Sequence, residues 1–127
     1  MPVRTLQQRY ADAVYRCVRD VADLTDWSDK TKKEYGAMAL KLPLLVRQAG
    51  LVQALTFVEA RGKNSQKRIL DDLATVLGLS KDELLTQARE AHLCDYMYLT
   101  CRVLWALEWF KRFAQTILKV ELTDETE

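Results

Sequence analysis

A chain of 127 residues, 49% apolar and 29% charged, has the make-up of one globular domain that folds without disulfide or metal staples. No apolar run approaches the roughly 18–20 residues of a membrane span. The opening Met1-Pro2-Val3-Arg4 leads straight into a polar helical pattern, which argues against a signal peptide and for a cytoplasmic protein. With 19 basic and 18 acidic residues the net charge is only +1, so overall charge does not make the chain a polyanion binder.

Four glycines and two prolines leave little room for long loops or hairpins. The apolar pattern is helical almost throughout. Leu6, Tyr10, Val14, Cys17, Val21 and Leu24 recur at three- and four-residue steps and define a first helix. Its other face carries Asp12–Arg16, Arg16–Asp20 and Arg19–Asp23, each spaced for surface pairing. A turn over 24–28 follows. Ser28 then reads as the N-cap of a second helix, with Asp29 in its first turn. That helix buries Tyr35, Met38, Ala39, Leu42, Leu45 and Val46. Pro43 inside it predicts a kink or a break, because proline removes a backbone donor and crowds the preceding turn.

Gly50 ends this segment, and Gly62 closes a third helix that buries Leu51, Leu55 and Val58. Asn64 or Ser65 is expected to cap a fourth, built on Ile69, Leu70, Leu73, Val76 and Leu77 and ended by Gly78. Ser80 and Glu83 form a capping box that opens a fifth helix on Leu84, Leu85 and Ala88. The last helix, about 93–120, is apolar on most sides, which places it at the centre or under a partner chain. Its later part offers one polar strip, Glu108, Arg112, Gln115 and Lys119, a candidate partner interface. The tail 121–127 holds four acids and no base and is expected to be disordered. The sequence thus predicts an all-α fold: one compact bundle of five to six helices over 1–120.

Little in the chain points to catalysis. His92 is the one histidine, and Cys94 lies too close in sequence to share a helix face with it. No phosphate loop, nucleophile elbow or HExxH is present, and most acids stand three or four residues from a base. The reading is a protein that is not an enzyme and that takes no metal, cofactor or small-molecule substrate. Cys17, Cys94 and Cys101 lack metal-ligand spacing. On apolar helix faces they are expected to be buried, reduced thiols.

Charge distribution carries more. From Tyr35 to Leu70 the bases are Lys41, Arg47, Arg61, Lys63, Lys67 and Arg68, against the single acid Glu59. That stretch is therefore +5, and the remainder of the chain sums to −4. Concentrated positive charge on a near-neutral protein marks a candidate polyanion site, although a solvated surface accounts for it too. Lys67 and Arg68 stand four residues before Asp71 and Asp72 and are weaker candidates. Lys41, Arg47 and Arg61 have no acid three or four residues away, and Gly62 separates Lys63 from Glu59. These four are the candidate phosphate ligands, acting on backbone charge without sequence information. Trp105, Trp109, Phe110 and Phe113, at helical spacing, read as core or subunit interface rather than base-stacking groups.

Three segments also match a known pattern. LPLLVRQAGLVQALTFVEARG, at Leu42–Gly62, resembles the "LP…GL…L.F" segment of the small α-helical subunit of type III-B CRISPR RNA-guided effectors (the RAMP module, or Cmr small subunit family). The closing CDYMYLTCRVLWALEWFKRFAQTILK is similar to the end of that family, and YADAVYRCVRDV to its start. Ala49 departs from the Asn expected before Gly50. The resemblance implies a non-catalytic helical subunit that stacks in several copies inside an antiviral ribonucleoprotein. It would lie along the guide–target duplex and contact guide or target RNA through the backbone, with other effector subunits and copies of itself as partners. Lys41, Arg47 and Arg61 fall within the matching segment, and Lys63 joins them on charge alone.

Two other readings stay open. Ile69–Glu90 has the outline of a DNA-binding helix-turn-helix, although Asp82 and Glu83 at the start of the would-be recognition helix oppose the groove potential. A plain helical adaptor without nucleic-acid contact also fits the apolar last helix and the acidic tail.

Overall fold

The computed structural model describes residues 3–121, in which every regular element is an α-helix. The order is α1 (Leu6–Ala22), α2 (Asp29–Ala49), α3 (Leu51–Arg61), α4 (Asn64–Leu77), α5 (Lys81–Glu90) and α6 (Leu93–Thr116). Five of the expected helices appear with nearly the expected bounds; the sixth is shorter. The acidic tail beyond Glu121 lies outside the described residues.

Capping chemistry sets most of the boundaries. The Thr5 hydroxyl accepts from the Gln8 N–H at 3.0 Å, and the Gln8 side chain accepts from the Thr5 N–H at 2.8 Å. Ser28 and the Ser80–Glu83 pair act as the sequence indicated. The cap of α4 is Lys63, not Asn64 or Ser65. Its N–H donates to the Gln66 side chain at 3.0 Å, and Ser65 turns inward to donate to Glu34. Gly78 adopts the left-handed conformation (φ 79°) that ends α4 without a Cβ clash.

α6 packs against α2 and α1, and α4 lies across α1, α2 and α6, while α3 and α5 flank this group. Tyr35, Leu42, Leu55, Leu70, Leu73, Leu107 and Phe110 fill the shared interior. Pro43 does not break α2, which runs continuously from Asp29 to Ala49. The missing hydrogen bond is outweighed because Met38, Ala39, Leu42 and Val46 on both sides of it are anchored in the core.

One buried polar cluster ties α2 to α4 and to the turn before α2. The Tyr35 hydroxyl donates to Asp72 at 2.6 Å. The Arg68 guanidinium lies 3.6 Å from the same carboxylate and over the Trp27 ring at 5.6 Å. Burial raises the Asp72 pKa, with Tyr35 and Arg68 opposing that rise. Burial likewise pushes the Cys17 thiol up to about 12, so this cysteine is an inert core group. The expectation of three buried thiols fails for Cys94 and Cys101, which are exposed. They stand on the first turns of α6, where the helix is covered on one side only.

Candidate nucleic-acid interface

α3 is the element on which the candidate site is built. Leu51, Ala54, Leu55 and Val58 are buried and fix its orientation. At its start Gly50, with φ 90°, turns the chain from α2 into α3. No side chain from the turn caps this helix. Tyr96 of α6 does so from across the fold, its hydroxyl accepting from the Val52 N–H at 3.2 Å. The outward face of α3 then presents Gln53, Phe57 and Arg61 one turn apart. Between this face and Tyr96 lies an open groove of about 570 Å³, floored by Ala49, Val52 and Ala60 and edged by Gln53, Thr56, Phe57 and Arg61.

The candidate cations sit in different settings. Arg47 pairs with Glu108 of α6 at 3.3 Å. Lys63 pairs with Glu34 of α2 at 2.8 Å, and this hydrogen bond holds the Glu34 carboxyl below the usual range. Lys41 is half-buried on α2. Arg61 is exposed at the end of α3 and has no carboxylate partner among the described residues. Its neighbour Glu59 is engaged by Lys81 of α5 at 3.0 Å. Lys67 is half-buried, and Arg68 belongs to the Asp72 cluster.

These groups do not converge on one point. Glu34, which holds Lys63, precedes Arg47 by thirteen residues of α2, or about 20 Å along the axis. Because α2 runs unbroken through Pro43, Lys41 and Arg47, six residues apart, point about 120° away from each other around its axis, so the basic residues are distributed over more than one face. Sequence spacing finds the cations but not their partners, since Arg47–Glu108 and Lys63–Glu34 span 61 and 29 residues. The Gln53–Phe57–Arg61 stripe is missed by sequence reasoning although its four-residue spacing is visible, because Phe57 resembles one more core position.

The expected partner strip on α6 also changes. Glu108 is held by Arg47, and Arg112 lies over the Trp109 ring at 5.3 Å. α6 ends at Thr116, and Lys119 beyond it has φ 57°, so Lys119 does not continue the helical register of Arg112 and Gln115. Phe110 is core, whereas Trp109 stacks on Phe113 and donates its indole N–H to Gln7 at 2.8 Å. The early part of α6 exposes Leu93, Met97 and Trp105 on one side, at four- and eight-residue steps.

Comparison with known proteins gives this all-helical bundle a family. The CRISPR-associated protein family Cas_Cmr5 matches residues 6–117, and the chain belongs to that family. It is 50% identical over 118 residues to the CRISPR system Cmr subunit Cmr5 of Thermus thermophilus, covering 92% of this chain and 99% of the relative. The crystal structure of a CRISPR-associated Cmr5 family protein from the same organism superposes with a TM-score of 0.83 at 51% identity. That match covers 91% of this chain and 98% of the other.

Proposed function

We propose that this chain is a non-catalytic structural subunit of a type III-B CRISPR ribonucleoprotein, where copies stack beside one another and their basic residues contact the guide–target RNA. Family membership over residues 6–117 is the observation that carries this reading. The local chemistry fits it. Cations spaced out over α2, the end of α3 and the turn before α4 suit separate phosphates of an extended strand better than one compact ligand. Base pairing supplies sequence selectivity in such a complex, so this subunit needs only charge and shape. Lys41, Arg47, Arg61 and Lys63 are the phosphate contacts, with Lys67 and Arg68 secondary because Arg68 is held in the Asp72 cluster. The exposed α6 surface, with Arg112, Gln115 and the apolar Leu93, Met97 and Trp105, faces neighbouring subunits, while Glu108 and Lys119 lie at its margin.

The test is reconstitution with the other effector subunits and guide RNA. Glutamine at Lys41, Arg47, Arg61 and Lys63 together is expected to weaken target-RNA retention at moderate salt while leaving mismatch discrimination intact. Unchanged retention in a complex that holds its full complement of subunits would reject the RNA-contact assignment.

A further inference from the structure

The groove beside α3 has features that backbone contact does not use. Phe57 leaves 41% of its surface exposed at the groove's edge, so its ring is open to contact. Arg61 stands one turn further along the same face, and Gln53 one turn before. The groove floor is aliphatic, and its polar rim consists of an amide, a hydroxyl and a guanidinium. That combination matches an aromatic heterocycle attached to a phosphate: a ring face to stack on, neutral donors and acceptors for its edge, and a cation for the anion. A duplex offers no such group, because its bases are stacked inside and its outer surface is sugar and phosphate.

We propose that the α3 groove takes one RNA base lying outside a duplex, with Phe57 stacked on the base and Arg61 on an adjoining phosphate. This deepens the reading that the basic residues meet RNA, and rests on it. A negatively charged strand is favoured over a protein occupant by charge. Arg61 is the one charged residue that lines the groove, and it has no carboxylate partner among the described residues, whereas Arg47, Lys63 and Arg68 are engaged by Glu108, Glu34 and Asp72.

The experiment compares two fluorescently labelled 12-nucleotide strands of equal charge, oligoadenylate and an abasic ribose-phosphate analogue, titrated with the full chain at low salt. Oligoadenylate is expected to bind about tenfold tighter. Phe57→Leu, a change at a partly exposed site, should erase that preference without altering affinity for the abasic strand. Arg61→Gln should weaken both strands alike. As an independent readout, the fluorescence of Phe57→Trp should be quenched by oligoadenylate beyond any change the abasic strand causes. Equal binding of both strands by the unmodified chain would overturn the base site while leaving the backbone reading intact. Binding of neither strand would overturn both. A change of oligomeric state in Phe57→Leu, measured by sedimentation, would make the groove a protein contact and likewise overturn the proposal.

Discussion

Arg47 and Glu108 lie 3.3 Å apart, joining the end of α2 to the middle of α6 and linking the two surfaces that the sequence marks separately for RNA and for partners. The pair is half exposed, so it contributes little to stability, about 0.2–1 kcal/mol. It does compete with any phosphate for the guanidinium. Glu108→Gln is therefore expected to raise affinity for single-stranded RNA by up to about fivefold at low salt, and to shift the unfolding free energy by less than about 1 kcal/mol. Anisotropy titration and urea denaturation measure the two effects. No gain in affinity would remove Arg47 from the phosphate contacts.

Arg61 and Lys63 should differ in their response to salt. Each phosphate neutralised on a single strand adds about 0.7 to the slope of log affinity against log salt. Arg61 meets RNA without giving up a carboxylate, whereas Lys63 must first leave Glu34, 2.8 Å away. Arg61→Gln is expected to reduce the slope by about 0.7, and Lys63→Gln by clearly less. Titrations across a series of salt concentrations read this directly. A larger effect at Lys63 would reverse the ranking.

How far the sequence foretells the structure follows from how local each signal is. Helices ended by Gly50, Gly62 and Gly78 and opened by Ser28 and Ser80 need only a few neighbouring residues to be specified, and all appear. Pro43 obeys the same local rules, yet the continuity of α2 is decided by the core around Leu42 and Val46. The cations are visible as composition, but Glu34 and Glu108 reach them through tertiary packing. The groove also depends on Tyr96, forty-four residues from the Val52 N–H that it accepts from. No spacing rule reports such a contact.

The Asp72 cluster sets a pH dependence of definite sign. Burial raises the Asp72 pKa above its ordinary 3.8, so the fold favours the protonated carboxyl. This stability is fully present below the unfolded value and is lost as pH rises toward the raised folded value. Glu34 has the opposite sign. Its pKa is lowered by Lys63, so its contribution is present above the unfolded value and lost as pH falls through the folded one. Asp72→Asn retains an acceptor for the Tyr35 hydroxyl and removes the titration. Denaturation measured from about pH 4 to about pH 7 is expected to show less loss of stability with rising pH in Asp72→Asn than in the unmodified chain. Asp72→Leu, which strands the Tyr35 hydroxyl, should cost about 1–3 kcal/mol. Identical pH profiles in the unmodified chain and Asp72→Asn would reject this account.

Gly36 permits a close approach between α2 and the segment after α6. A Cβ added there would collide with Val120 Cγ2 and lie 3.2 Å from the Val120 Cβ, well inside van der Waals contact. The segment after α6 is seated against α2 at this point, with Val120 buried and its N–H donated to the Ala114 carbonyl at 3.2 Å. Alanine improves the helical propensity of α2 by about 1 kcal/mol, so a purely local view expects stabilisation. Overpacking costs about 1–3 kcal/mol and outweighs that gain unless the terminal segment detaches. Gly36→Ala is therefore expected to lower the melting temperature and to increase hydrogen exchange at the Val120 amide. Val120→Ala should be mildly destabilising alone but should partly rescue Gly36→Ala, because it removes the Cγ2 that the new methyl meets. Strict additivity of the two substitutions would mean that the added methyl is accommodated elsewhere, and that Val120 does not dictate glycine at this position.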